Sequence, residues 1–280
     1  TPEGTLKLIQ EWGVTSSHMV PTMFHRLLGL PDDVRAAADT STLSSIIHAA
    51  APCPVDVKAK MIDWWGPVIY EYYAATEGGG SYVNSAQWLE RPGTVGCPFP
   101  GSTLKIFDDD GNELPAGEVG TVYMGTGRGE FEYYKDDQKT QESRRNGLFT
   151  VGDMGYLDDE GWLFLSDRKA DMIISGGVNI YPAEIEGTLL AHPEVADAAV
   201  IGVPDDEWGE SVKAVVQAKD PNRAGDEFAE ELTVWCRERL AGFKCPRSID
   251  FRAELPRYPT GKLYKRLIRD EYWEGTTRSI

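Results

Sequence analysis

The stretch that most constrains this chain is 150–187, where short strand-like runs and turns give way abruptly to a knot of charge. Gly155-Tyr156 and Trp162-Leu163-Phe164-Leu165 flank Asp158-Asp159-Glu160-Gly161, a set of turn formers, so a hairpin is expected. Ser166-Asp167-Arg168-Lys169-Ala170-Asp171 follows, then Met172-Ile173-Ile174, which is too short for a helix and suits a buried strand. Gly176-Gly177 lets the backbone take positive φ or come close to a ligand. The run from Tyr181 to Glu186 opens a helix, with Pro182 in its first turn and acids where the dipole favours them. A polar, charged connector between two foldable regions is a candidate domain boundary, and 280 residues can supply two cores.

On the amino-terminal side, Leu6, Leu8, Ile9 and Trp12 recur at helical spacing until Gly13. A short strand over 14–21 and a helix over 23–28 are expected next. The latter carries His25, which its mostly apolar helix marks as a packed or surface histidine rather than a base. Leu43 to Ala51 reads as a strand, Val55 to Trp65 as a helix stopped by Gly66, and Val68 to Tyr72 as another strand. Strand–helix–strand with short loops predicts a parallel sheet, with ligand sites at the carboxyl ends of its strands. Those ends carry Ala49-Ala50-Ala51 before Pro52, and the run Tyr73-Ala74-Ala75-Thr76-Glu77-Gly78-Gly79-Gly80.

Residues 93–168 read as short strands between Gly and Asp turns, without a helix signal until Asp136–Thr140, which predicts a sandwich or small barrel. Asp108-Asp109-Asp110-Gly111 lacks the spaced ligands of a calcium loop and is read as a hairpin turn. Residues 171–280 form a compact α+β pattern. A helix from Tyr181 leads to strands over 195–203 and 212–218, joined by a loop over 204–210. A helix over 227–240, a short strand over 249–251 and a last helix from Leu263 complete it.

A net charge of −17 argues against non-specific nucleic-acid binding, and no apolar run approaches the roughly 20 residues of a membrane span. The charge is uneven: from Arg237 to Arg269 there are ten Lys/Arg against three Asp/Glu, either a solvated helix face or a site for a polyanion. Cys53, Cys97, Cys236 and Cys245 lack metal-ligand spacing and read as free thiols of a reducing cytoplasm.

GDMGYLDDEGWLFLSDRKADMIISGG with YPAEIE, preceded by YYAATEGGG and followed by PRYPTGKLYKR, resembles the adenylate-forming superfamily of acyl- and aryl-CoA synthetases, luciferases and peptide-synthetase adenylation domains. The resemblance covers nearly the whole chain but only the carboxy-terminal half of such an enzyme. The family's Ser/Thr/Gly-rich phosphate loop has no counterpart, so a fragment that is inactive alone is expected. It implies an α/β and α+β multidomain fold: the end of a large α/β domain at 1–92, a β-barrel-like subdomain at 93–168, a hinge at Lys169 and Ala170, and a small domain at 171–280.

The same resemblance implies roles. Tyr73 would stack on adenine, Thr76 would hydrogen-bond the α-phosphate and Glu77 would help hold Mg²⁺, with Ala51 and Pro52 beside the nucleotide. An aromatic face, a hydroxyl donor and a hard carboxylate suit those partners. Asp153 and Arg168 would hold the ribose, and Lys262 would bridge the acyl carboxylate and the α-phosphate as charge builds there. Gly176, Gly177, Trp208, Phe243 and Arg247 would contact coenzyme A. The chain departs from the family pattern at Ala74, which adds a methyl beside the acyl tunnel, and at Ala170, where Asp or Lys is usual. Cys245 replaces a residue that is basic in some relatives. The usual GxxxxxGY element is altered to the run Gly125–Tyr134. The implied activity is an ATP-dependent ligation of a carboxylic or fatty acid to CoA through acyl-AMP, with ATP/AMP, Mg²⁺ and CoA as ligands. A homodimer is compatible with it. The alternatives are an adenylation domain loading a carrier protein, although no carrier pattern follows Trp273, and a non-catalytic nucleotide- or CoA-binding module.

Overall fold

The computed structural model describes residues 1–126, 131–258 and 262–274. The chain is mixed α/β and divides into two compact units, Thr1–Ser166 and Asp167–Ile280. Among the described residues no helix is long and apolar enough to cross a membrane.

The first unit opens with α1 (Pro2–Trp12), capped by the Thr1 hydroxyl and ended by Gly13 in the left-handed region at φ 56°. Next come β1 (Ser16–Met19), α2 (Pro21–Leu28), α3 (Asp32–Ala37), β2 (Ser45–His48), α4 (Val55–Trp65) and β3 (Ile69–Ala74). β1, β2 and β3 pair in parallel, as the strand–helix–strand pattern predicts. β4 (Gly80–Asn84) then returns antiparallel on β3 and launches α5 (Ser85–Glu90) through a capping box between Asn84 and Gln87. The sequence reading did not foresee α3, β4 or α5. Phe24, Met61 and Trp65 from the helices meet Ile46, Ile69 and Val83 from the strands in one core.

β5 (Thr94–Pro98), β6 (Thr103–Phe107), β7 (Gly120–Gly125), α6 (Asp137–Glu142), β8 (Arg144–Arg145), β9 (Leu148–Phe149), β10 (Asp153–Leu157) and β11 (Leu163–Arg168) follow. Their strands continue the same sheet in the order β1-β2-β3-β4-β5-β11-β10-β7-β9-β8, with β6 on β7. Among the described residues this path stays open, so the β-rich segment is a continuation of the sheet and not a closed barrel. Asp108–Gly111 is a turn: the Asn112 N–H donates to Asp108 Oδ1 at 2.7 Å, and Gly111 sits at φ 91°.

The second unit contains β12 (Ile173–Ser175), β13 (Val178–Ile180), α7 (Pro182–Leu190), β14 (Val195–Asp205), β15 (Gly209–Ala218), α8 (Asp226–Arg237), β16 (Ser248–Phe251) and α9 (Lys265–Tyr272). Its sheet runs β13-β12-β15-β14, with β16 parallel on β15. Successive residues of β14 alternate between two cores. Ala198 and Val200 pack with Ile185, Leu189, Phe228 and Leu232, whereas Ala199, Ile201 and Val203 pack with Leu255 and Ile268. The sheet is thus covered by α7 and α8 on one face and by α9 on the other.

The connecting loop expected over 204–210 is shorter than the sequence implies. Asp205 Oδ1 accepts the N–H groups of Glu207 and Trp208, each at 3.0 Å, and Gly209 takes φ 77°, so the strands run almost to the turn. The charged knot is also ordered within this unit. Asp167 Oδ2 accepts the Ala183 N–H at 2.8 Å, Lys169–Asp171 make one 3₁₀ turn, and Arg269 of α9 donates to the Ala170 carbonyl at 2.8 Å. Lys265 pairs with Glu186 at 2.9 Å; burial opposes its charge, but Glu186, Asp167 and Asp171 together hold its pKa above the ordinary lysine range.

Candidate active site

Ala75-Thr76-Glu77-Gly78-Gly79 form the tip of the β3–β4 hairpin, closed by the pairing of Tyr73 with Ser81 and Ala74 with Gly80. Position 80 requires glycine: φ is 147°, and a Cβ there would lie 2.3 Å from the Tyr73 carbonyl oxygen. On this tip the Thr76 hydroxyl donates to Glu77 Oε2 at 3.0 Å, and the Tyr133 hydroxyl donates to Glu77 Oε1 at 2.8 Å. Burial by itself would raise the Glu77 pKa. Hydrogen bonds from Tyr133, its own amide and Thr76, with Lys139 nearby, reverse that and hold it below the ordinary carboxylate range. Burial and Glu77 together push the Tyr133 phenol up to about 12.

Tyr73 donates its hydroxyl to Asp153 Oδ2 at 2.8 Å, at the first residue of β10. At the end of β2, Ala50 takes φ 76°, a left-handed conformation strained for alanine, between buried Ala49 and half-buried Ala51. Pro52 is exposed. The fold therefore joins Tyr73 to Asp153 and Thr76 to Glu77. It adds Tyr133, which falls inside the altered run Gly125–Tyr134 and has no role assigned from the sequence. Gly127-Arg128-Gly129-Glu130, part of the altered GxxxxxGY element, lie outside the described residues.

The same strand β3 also carries a buried ion pair that leaves little sign in the sequence. Lys58 of α4 donates to Glu71 of β3 at 2.6 Å, and both are almost fully buried, at 1% and 5% exposure. Lys58 Nζ also stands 4.9 Å from the centre of the Trp88 ring. Burial pushes Lys58 down and Glu71 up, while each partner opposes the other's shift. His48, the last residue of β2, is fully buried with its Nε2 3.6 Å from Glu71 Oε2, outside hydrogen-bonding distance. Glu71 is already committed to Lys58, and burial with the Lys58 charge takes the His48 pKa from 6.5 down to about 2. The unfolded chain therefore takes up a proton below 6.5 that the folded one refuses. This contribution to stability is intact above pH 6.5 and falls by about 1.4 kcal/mol per pH unit below it. Urea unfolding at about pH 5.5 and 4.5 should show that slope in the native protein in excess of a His48→Leu variant; equal slopes would mean that His48 is protonated in the fold.

In the second unit, Gly176 and Gly177 turn β12 into β13 at φ 57° and 80°. A Cβ on Gly176 would meet the Trp208 ring at 2.5 Å, and the Gly176 N–H donates to the Trp208 carbonyl at 2.8 Å. Arg247 stands 5.3 Å from the centre of the Trp208 ring and 3.6 Å from Asp205. Gly176, Trp208 and Arg247 thus form one cluster, with Trp208 40% exposed. Phe243, 56% exposed, stands on the turn Gly242–Lys244, which Lys244 ties to Glu184 at 2.6 Å. Arg168 is exposed, its amide bonded to the Asp167 side chain at 2.7 Å. Lys262 is half-buried; the Tyr258 N–H donates to its carbonyl at 2.8 Å, and Arg257 forms a β-bridge with Leu263. Pro259-Thr260-Gly261, the preceding part of that motif, lie outside the described residues.

Residues 1–134 match the family model of AMP-binding enzymes, and residues 184–262 match that of the AMP-binding enzyme C-terminal domain. A long-chain-fatty-acid–CoA ligase of Bacillus subtilis is 36% identical over 98% of this chain and 48% of its own length. A fatty acid–[acyl-carrier-protein] ligase of Streptomyces coeruleorubidus is 34% identical over 98% of this chain and 53% of its own length. The solved o-succinylbenzoate CoA synthetase of Bacillus subtilis, in complex with an acyl-adenylate intermediate, superposes with a TM-score of 0.81 at 31% identity, over 96% of this chain and 54% of that one. The chain spans about half the length of these relatives.

Proposed function

For a chain that belongs to the AMP-binding, adenylate-forming enzymes, we propose the role of an ATP-dependent acid–CoA ligase. A carboxylic acid, with a fatty acid as the leading class, reacts with ATP to give acyl-AMP and pyrophosphate. The thiol of CoA then displaces AMP. What supports this most is the glycine-closed hairpin tip on which Thr76 and Glu77 are bonded together beside the Tyr73–Asp153 pair.

In this reading Tyr73, Ala51 and Pro52 line the adenine, Asp153 and Arg168 take the ribose hydroxyls, and Thr76 donates to the α-phosphate. Glu77, ionised below the ordinary range, suits magnesium, which commonly takes only one or two protein carboxylates and fills its shell with phosphates and water. Bound magnesium would neutralise phosphate charge. Lys262 supplies the cation between carboxylate and α-phosphate. Gly176, Gly177, Trp208, Phe243 and Arg247 serve CoA, and Lys169-Ala170 act as the hinge between adenylation and thioester formation. The four free thiols are assigned to a reducing cytoplasm.

The test is acid-dependent pyrophosphate release from ATP by the full-length protein across a panel of fatty and aryl acids, followed by CoA-dependent AMP release. No release with any acid would overturn the proposal. The Streptomyces relative raises a carrier-protein thiol as the alternative acceptor. Acyl-AMP formation without CoA thioester at any CoA concentration would favour it.

If Trp208 contacts CoA, Trp208→Ala should raise the KM for CoA about tenfold, the size of a contact near 1.4 kcal/mol, and leave acyl-AMP formation nearly unchanged. Equal losses in both half-reactions would make Trp208 a packing residue for Gly176.

A further inference from the structure

Glu77 is held from two sides by donors of different character. Tyr133, on Oε1, is itself fixed: its amide donates to Thr140 Oγ1 at 2.9 Å, Lys139 lies 4.4 Å from its ring centre, and Phe131 meets it edge-on at 5.2 Å. Thr76, on Oε2, is exposed and belongs to the tip itself. A threonine hydroxyl carries one proton, so it can donate to one acceptor at a time. Thr76 therefore cannot donate to Glu77 and to a phosphate together.

We propose that Tyr133 is a positioning residue for Glu77, and that the two carboxylate oxygens divide their work. Tyr133 keeps Oε1 in place, while Oε2, released as the Thr76 hydroxyl turns its hydrogen bond to a nucleotide phosphate, would be left to hold a magnesium ion. This rests on the roles assigned above to Thr76 and Glu77. It adds that phosphate capture and cation capture are one coupled exchange, pivoting on a carboxylate that Tyr133 prevents from swinging away. The exchange conserves bonds. Thr76 leaves one oxygen acceptor for another, and the oxygen it leaves would be available to the cation.

The test is calorimetric titration of ATP into the full-length protein, with magnesium and with a chelator. Magnesium should tighten ATP binding to the native protein, and Glu77→Gln should remove that gain. Tyr133→Phe keeps the ring and removes the donor. It should reduce the magnesium-dependent gain about tenfold or more, the scale of a hydrogen bond to a charged group, and leave magnesium-free ATP binding within about twofold. Thr76→Val should weaken ATP with and without magnesium alike, because Oε2 is then already free. In the Glu77→Gln background, Tyr133→Phe should add nothing. Equal loss of both ATP forms in Tyr133→Phe, no loss in either, or disappearance of the magnesium gain in Thr76→Val would each overturn the exchange. A magnesium gain that survives Glu77→Gln would instead remove the underlying assignment of Glu77, a distinguishable failure.

Discussion

Lys262→Ala in the full-length protein should lower the rate of acyl-AMP formation by about 10²–10³-fold, the range lost with one preorganised donor at a developing charge. Negative charge gathers on the carboxylate and α-phosphate only while the bond between them forms. A variant without the cation should therefore still convert supplied acyl-AMP and CoA to thioester at close to the native rate. The backbone contacts at Lys262, from the Tyr258 N–H to its carbonyl and between Arg257 and Leu263 beside it, are left in place by the substitution. Pyrophosphate exchange and single-turnover thioester formation, measured side by side, separate the outcomes. Both rates falling together would make Lys262 a support of the fold or hinge. Neither falling would remove its catalytic role.

The second large effect is on stability. Lys58→Met leaves Glu71 buried without its cation, and breaking one side of a buried ion pair costs about 3–5 kcal/mol. That is a large share of the 5–15 kcal/mol that holds a typical protein together. The double variant Lys58→Met/Glu71→Leu should recover most of the loss, because replacing both charges removes the desolvation problem on both sides. Denaturant midpoints of the native protein, the single and the double variants form the comparison. A single variant within about 1 kcal/mol of the native protein would mean that Glu71 is protonated in the fold. Glu71 lies two residues before Tyr73 on the same strand, so under the proposed nucleotide-binding role of Tyr73 the damage should also reach ATP affinity.

Several elements were legible because a local rule decides them. Val55 to Trp65 keeps helical period up to Gly66, and the helix has those bounds. The hairpin at 158–161 follows from its turn residues: the Asp158 side chain accepts amides from Glu160 and Trp162, and Gly161 sits at φ 84°. α3 and α5, at six residues each, are too short for a periodic pattern to repeat. β4 starts inside a glycine run that reads locally as loop; only the close approach of Gly80 to Tyr73 turns it into a strand.

Within the candidate site, Tyr73, Thr76 and Glu77 were readable as one run of sequence. Tyr133 was not, since it meets Glu77 across 56 residues and a tertiary contact leaves no local pattern. Lys58 did leave a signal. It stands three residues before Met61 and seven before Trp65, on the face of α4 that carries the core, where a charge needs a buried partner.

The alternation along β14 sets which changes of length the second unit can survive. Because Ala198 and Val200 serve one core while Ala199, Ile201 and Val203 serve the other, one inserted residue in the middle of this strand would send each following side chain through the sheet to the wrong face. Two inserted residues would restore facing and displace only the end of the ladder. The exposed stretch from Lys219 to Glu227 carries no such parity, so insertions of any length there leave both cores unchanged. Natural length variation in this unit should therefore collect between β15 and α8 and, where it enters β14 at all, come in even steps.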